Sequence, residues 1–143
     1  MKISKYFDVR ELVPPSIWST YGITARQFLR PELLRVLDLL REKVGRPVVV
    51  NNWHTGGQFR ESGYRVPYTK TGARYSQHKF GAAADVKVAG MSPKDVLAVI
   101  LSNEAEFIAA GLTTFENVDF TPTWLHLDVR WREPMTSLVM VNP

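Results

Sequence analysis

The sequence predicts an α+β fold in which a small, mainly antiparallel sheet carries helices packed on one side. Three observations lead there: an amphipathic helix with clear start and stop signals, a Val-rich run directly after it, and a late pair of runs that alternate apolar and polar residues around a turn. The 143 residues, 45% hydrophobic and 22% charged, suit one domain able to bury a sizeable core. With no internal repeat or low-complexity segment, 1–143 reads as that single domain, with an N-terminal lead-in and a short C-terminal tail.

Pro31 stands at a first helical position, and Leu33, Leu34, Leu37, Leu40 and Val44 follow at three-to-four spacing until Gly45 and Pro47 stop the helix. Val48 to Val50 then reads as a buried strand. From Asn51 to Gln77 the chain is rich in Gly, polar and aromatic residues, a long connection of the kind that usually carries function. Ala83 to Val88 reads as a second strand. Ser92 caps a helix that has Pro93 at its first position, breaks near Asn103 and closes at Gly111. Leu112 to Asp119 and Thr123 to Trp131 form a hairpin about a turn at Phe120 to Pro122. In its second run Leu125, Leu127 and Val129 alternate with Trp124, His126, Asp128 and Arg130, so one face is apolar and the other carries chemistry.

The absence of cysteine excludes a disulfide scaffold, a thiolate nucleophile and Cys-ligated metals, so any metal must use His, Asp or Glu. The first ten residues turn polar before a signal-peptide run can develop, and no stretch approaches the ~20 apolar residues of a membrane span. A membrane partner is therefore not expected, and the chain is expected to stay in the cytoplasm at synthesis unless something carries or releases it. Eighteen Lys and Arg against fourteen Asp and Glu give +4, an excess that favours polyanionic surfaces. The charges are spread, with no basic stripe or motif to recommend nucleic acid as a partner.

Of three histidines, His78 precedes Asp85 by seven residues and His126 lies on the polar face of the last predicted strand. Two imidazoles and a carboxylate suit divalent zinc with a remaining position for water. Gly81 permits a tight turn, and Ala82, Ala83 and Ala84 leave room for close backbone approach, so a loop residue and a strand residue can converge on one ion. Residue counting alone leaves the alternative of ordinary structural polar groups open.

The pattern Ser76-x-His78-x-x-Gly81-x-Ala83-x-Asp85, with Trp124-Leu125-His126-Leu127-Asp128 about forty residues later, resembles the zinc D-Ala-D-Ala carboxypeptidase family. These are the M15 peptidases of the hedgehog/DD-peptidase fold, and within them the likeness is to subgroup A. The resemblance runs from about Pro31 to Trp131 and includes Ser62-Gly63-Tyr64-Arg65. It implies that His78, Asp85 and His126 are zinc ligands and that Arg65 holds a substrate carboxylate or an oxyanion, work that suits a forked, permanently charged guanidinium. A solvated loop arginine is the alternative for Arg65. Arg60 is the fallback for the anion-holding role, because the loop is longer than the usual family form.

The general base departs from the family pattern. Its usual positions, two or three residues before the last ligand, hold Trp124 and Thr123, and neither can serve. The hairpin offers Glu116 instead, across from His126 on the same face and about 5 Å away at Cβ. Asp119 competes if the register slips by one. For both acids the alternative is a solvated surface charge. Asp128 and the motif's Ser76 are expected just behind the ligands, orienting them. Trp124 reads as a substrate platform or a cap on the sheet, and His54 as a loop histidine that either lines the cleft or sits partly exposed.

Taken together, the resemblance implies a Zn2+ metallopeptidase that cleaves peptidoglycan stem peptides next to D-Ala or a related D-residue, as a carboxypeptidase or an endopeptidase. A phage lysin, freed to the wall or carried in the virion, is one setting that analogy suggests. The rival reading is a non-catalytic, zinc-containing wall-binding or virion module.

Overall fold

The computed structural model describes residues 2–143; Met1, where the lead-in begins, lies outside them. Helix α1 spans Pro15–Tyr21, and α2 spans Pro31–Val44, as its sequence signals predict. Gly45 closes α2 in the left-handed region at φ 65° and donates its N–H to the Arg41 carbonyl. The apolar stripe of α2 buries Leu33, Val36, Leu37 and Leu40 completely, each contributing roughly 1.5–3 kcal/mol of transfer free energy. Helices α3 (Pro93–Ser102) and α4 (Glu104–Ala110) arise where Asn103 breaks one helical run. Ser92 and Asp95 form a reciprocal capping box at the start of α3.

Five strands, β1 (Val48–Val49), β2 (Ala83–Val88), β3 (Thr114–Glu116), β4 (Leu125–Asp128) and β5 (Val139–Val141), form one sheet in the order β1-β2-β4-β3-β5. Every pairing is antiparallel except β3 with β5. Alternation sorts the faces. Ala84, Val86 and Val88, with Phe115, Leu125, Leu127 and Val129, belong to the apolar core that α2 to α4 cover. Ala83, Asp85, Lys87, Thr114, Glu116, His126 and Asp128 take the other parity. The register pairs Asp85 with His126 and Ala83 with Asp128, which decides where the chemistry meets.

Three features differ from the sequence reading. The lead-in is part of the core: Phe7, Val9, Leu12 and Val13 are fully buried. Strand β1 stops at Val49, because Asn51 turns its N–H away from the sheet to the Glu11 carbonyl, 2.9 Å away. The C-terminal tail supplies β5, anchored by Asn117 N–H to the Val141 carbonyl and Val139 N–H to the Thr113 carbonyl. No helix among the described residues is long and apolar enough to cross a membrane.

Candidate metal centre

Ser76 starts the short 3-10 turn Gln77–Phe80 by accepting a hydrogen bond from the His78 backbone N–H. Gly81 then reverses the chain at φ 66°, where a Cβ would lie 1.8 Å from the Phe28 carbonyl oxygen, so only glycine fits. The chain enters β2 from that reversal and delivers Asp85 beside His78. The Ser62–Arg65 segment is stitched alongside: Asp85 N–H donates to the Ser62 carbonyl and Arg65 N–H to the His78 carbonyl. The lead-in backs this segment, since Tyr64 N–H donates to the Leu12 carbonyl and a Cβ on Gly63 would lie 2.4 Å from that same oxygen.

His78, Asp85 and His126 each present a ligand atom, and these atoms all lie within 4.8 Å of one another. The outer nitrogens of both rings are occupied. His78 Nδ1 donates to the Gly63 carbonyl at 2.8 Å and His126 Nε2 to Asp128 Oδ2 at 2.9 Å, tautomers assigned from these acceptors. The inner nitrogens, His78 Nε2 and His126 Nδ1, stand 3.2 and 3.1 Å from the same oxygen, Asp85 Oδ1. Orienting bonds behind, with ligand nitrogens in front, are what imidazole ligands of a metal require. The set fits a divalent cation in kind and in number.

Charge points the same way. Burial works against the His126 imidazolium, but hydrogen bonds to Asp128 and Asp85 and the fields of Asp85 and Glu116 outweigh it and raise its pKa to about 9. Burial also opposes ionisation of Asp85, and the bonds from His126 and His78 overcome it, holding the carboxyl below the usual range. The pocket between these groups thus favours positive charge, a proton or a metal ion.

Glu116 stands where hairpin counting predicts: Phe115 pairs with Leu127, and Glu116 Oε1 lies 3.3 Å from His126 Nδ1. Asp119 does not reach the cluster. It sits exposed in the 3-10 turn Val118–Phe120, 3.9 Å from Lys94, because Asn117 caps that turn and directs the chain away. Arg65 is buried, donating from Nε to the Glu61 carbonyl at 2.7 Å and from Nη2 to Asp85 Oδ2 at 3.2 Å, with Gly72 packed on Nη1. A solvated loop arginine is therefore ruled out. Arg60 is exposed and lines a neighbouring cleft. His54, half-buried in the 3-10 turn Trp53–Thr55 with its ring edge-on to Trp53, lines neither cleft.

A cleft of about 540 Å³ opens over the cluster, walled by Arg65, Tyr75, Glu116, Phe120, Trp124 and Arg130. A second cleft, of about 450 Å³, shares Arg65, Thr71, Asp85 and Trp124 with it and reaches Lys87. Trp124 is half-buried on the partition between the two. The sequence reading placed Arg130 on the polar face without giving it a role, and did not single out Lys87. Arg130 clamps Asp128 with two N–H donors, Nε to Oδ1 at 2.8 Å and Nη2 to Oδ2 at 2.6 Å. Lys87 is partly buried, and desolvation lowers its pKa to about 8 against the opposing field of Asp85. Both follow from a signal that was present, alternation on the polar face carried two residues past Asp128 and past Asp85.

No curated protein and no solved structure matches the chain. The family model described as Peptidase M15 matches residues 5–128, starting well ahead of Pro31 and so taking in the buried lead-in. A match of that extent, containing all three convergent side chains and the segments that hold them, means that the chain belongs to the M15 peptidase family.

Proposed function

We propose that this chain is a zinc-dependent peptidase that hydrolyses peptidoglycan stem peptides next to D-alanine or a related D-residue. The observation that carries the reading is the convergence of His78, Asp85 and His126 with a carboxylate, Glu116, 3.3 Å from the inner nitrogen of His126. His78 Nε2, Asp85 and His126 Nδ1 would hold the ion. When bound, zinc supplies Lewis-acid polarisation of the scissile carbonyl and makes water acidic near neutral pH. Glu116 takes the proton of the attacking water and returns it to the leaving amine. Arg65, fixed by the Glu61 carbonyl and Asp85, lines the cleft, where its guanidinium holds negative charge on the substrate. Trp124 offers a flat wall for the peptide.

The test uses purified, zinc-loaded protein on wall sacculi, scoring release of amino groups and of D-alanine. Glu116→Gln is expected to lower kcat by about 10²–10⁴-fold while zinc content stays at the wild-type level. The lack of an acid or imidazole at Thr123 and Trp124 gives the rival wall-binding module its case. Protein that retains zinc, binds sacculi and never cleaves them would select that module and overturn the peptidase.

A further inference from the structure

Lys87 follows Asp85 by two residues on β2, so it projects from the same face of the sheet, about 7 Å further along the strand. Its ammonium is held in place by neutral groups: it donates to the Val50 carbonyl at 2.9 Å and to Ser62 Oγ at 2.8 Å, and it sits 3.9 Å above the Phe59 ring. An ammonium has three donors, and these two bonds leave one uncommitted. Among the described residues no carboxylate forms an ion pair with Lys87. The one acid beside it on the loop, Glu61, is already engaged by the hydroxyls of Thr69 and Thr71. The cleft over Lys87 is flanked by the exposed Arg60 and opens past Trp124 into the cleft over the metal cluster.

We infer that this second cleft is a carboxylate-binding subsite in which Lys87 selects peptides carrying a carboxylate one or two residues from the bond that is cut. The spacing follows from the strand: about 7 Å along β2 matches two residues of an extended peptide running over that face of the sheet. The inference rests on the peptidase reading for the bond, but not for the binding. The carboxylate can be a terminal α-carboxylate or one on a side chain, and the two sources are separable.

The experiment uses two pairs of synthetic wall peptides, one differing only in terminal carboxylate against amide, the other only in side-chain carboxylate against carboxamide. The kcat/KM ratio within each pair is measured on zinc-loaded wild type, and the Kd ratio by calorimetry on zinc-loaded Glu116→Gln. One pair is expected to favour the carboxylate by about tenfold or more in both measurements, the scale of one charge-assisted hydrogen bond, and that pair identifies the source. Lys87→Gln should bring the ratio to about one, whatever its overall activity, and Lys87→Arg should retain it. Ratios near one in wild type, or an unchanged ratio in Lys87→Gln, overturn the subsite. Should Lys87→Gln fail to fold, the Cε resonance of Lys87 in metal-free wild type decides instead: it must move with the carboxylate peptide and not with its amide. Wild type that binds selectively through Lys87 but cleaves nothing would sink the peptidase and leave the subsite standing; cleavage without selectivity would do the reverse.

Discussion

The two halves of the candidate metal centre hold their imidazoles by opposite means. On the motif side, neutral groups and shape do it: His78 Nδ1 ends on the Gly63 carbonyl, Ser76 caps the turn, and Gly81 reverses against Phe28. On the hairpin side, charge does it: His126 leans on Asp128, which Arg130 clamps from behind. A site built this way has one half that fails to steric change and another that fails to loss of charge. Each can be perturbed alone.

The largest effect is expected on the motif side. Gly81→Ala puts a Cβ into the Phe28 carbonyl oxygen at a φ that L-residues avoid, and should cost about 3 kcal/mol or more of stability in urea unfolding. A variant that unfolds like wild type would show that steric fit does not hold this half. Next comes the hairpin side. Asp128→Asn keeps the volume and removes the charge, so the pKa of His126 should fall from about 9 and zinc affinity should drop about 10–100-fold in chelator competition. Its unfolding midpoint should move less than that of Gly81→Ala. The comparison breaks if Asp128→Asn binds zinc like wild type, because His126 would then owe nothing to the charge behind it.

The same contrast explains what the sequence made legible. The motif side is local: His78, Gly81 and Asp85 lie within ten residues, and a turn followed by a strand is enough to join them. Glu116 was within reach because counting outward from the centre of the turn gives the register, and apolar alternation gives the face. Asp119 was a false competitor because the 3-10 turn after β3 ends the alternation on which its candidacy depended. The support of Arg65 was hidden for a different reason. It runs through backbone bonds from Glu11 and Leu12 to Asn51 and Tyr64, and backbone bonds over such separations leave no side-chain period to read. Strand β5 was missed likewise: three residues, parallel to β3 and joined through no tight turn, give no hairpin signal.

The lead-in makes a third kind of support, and the smallest predicted effect tests it. Asp8 caps the 3-10 turn Val9–Glu11, accepting from Arg10 N–H, Nε and Nη2, each at 2.9 Å. The Arg10 side chain, above all, holds the Asp8 carboxyl well below the usual carboxylate range, although partial burial opposes this. A depressed folded-state pKa means that, below about pH 4, the unfolded chain takes up this proton before the folded one does. The stabilisation is therefore present above the ordinary carboxylate range and fades as the pH drops toward the folded value. Asp8→Asn retains a competent cap and loses the ion pair, so it should destabilise by less than about 1 kcal/mol at pH 7. In urea melts that deficit should shrink steadily from pH 5 toward pH 2, with zinc affinity unchanged throughout. A deficit that stays constant with pH would remove the charge from the account. A fall in zinc affinity would mean that the lead-in reaches the metal centre electrostatically, and not through the backbone bonds from Glu11 and Leu12 alone.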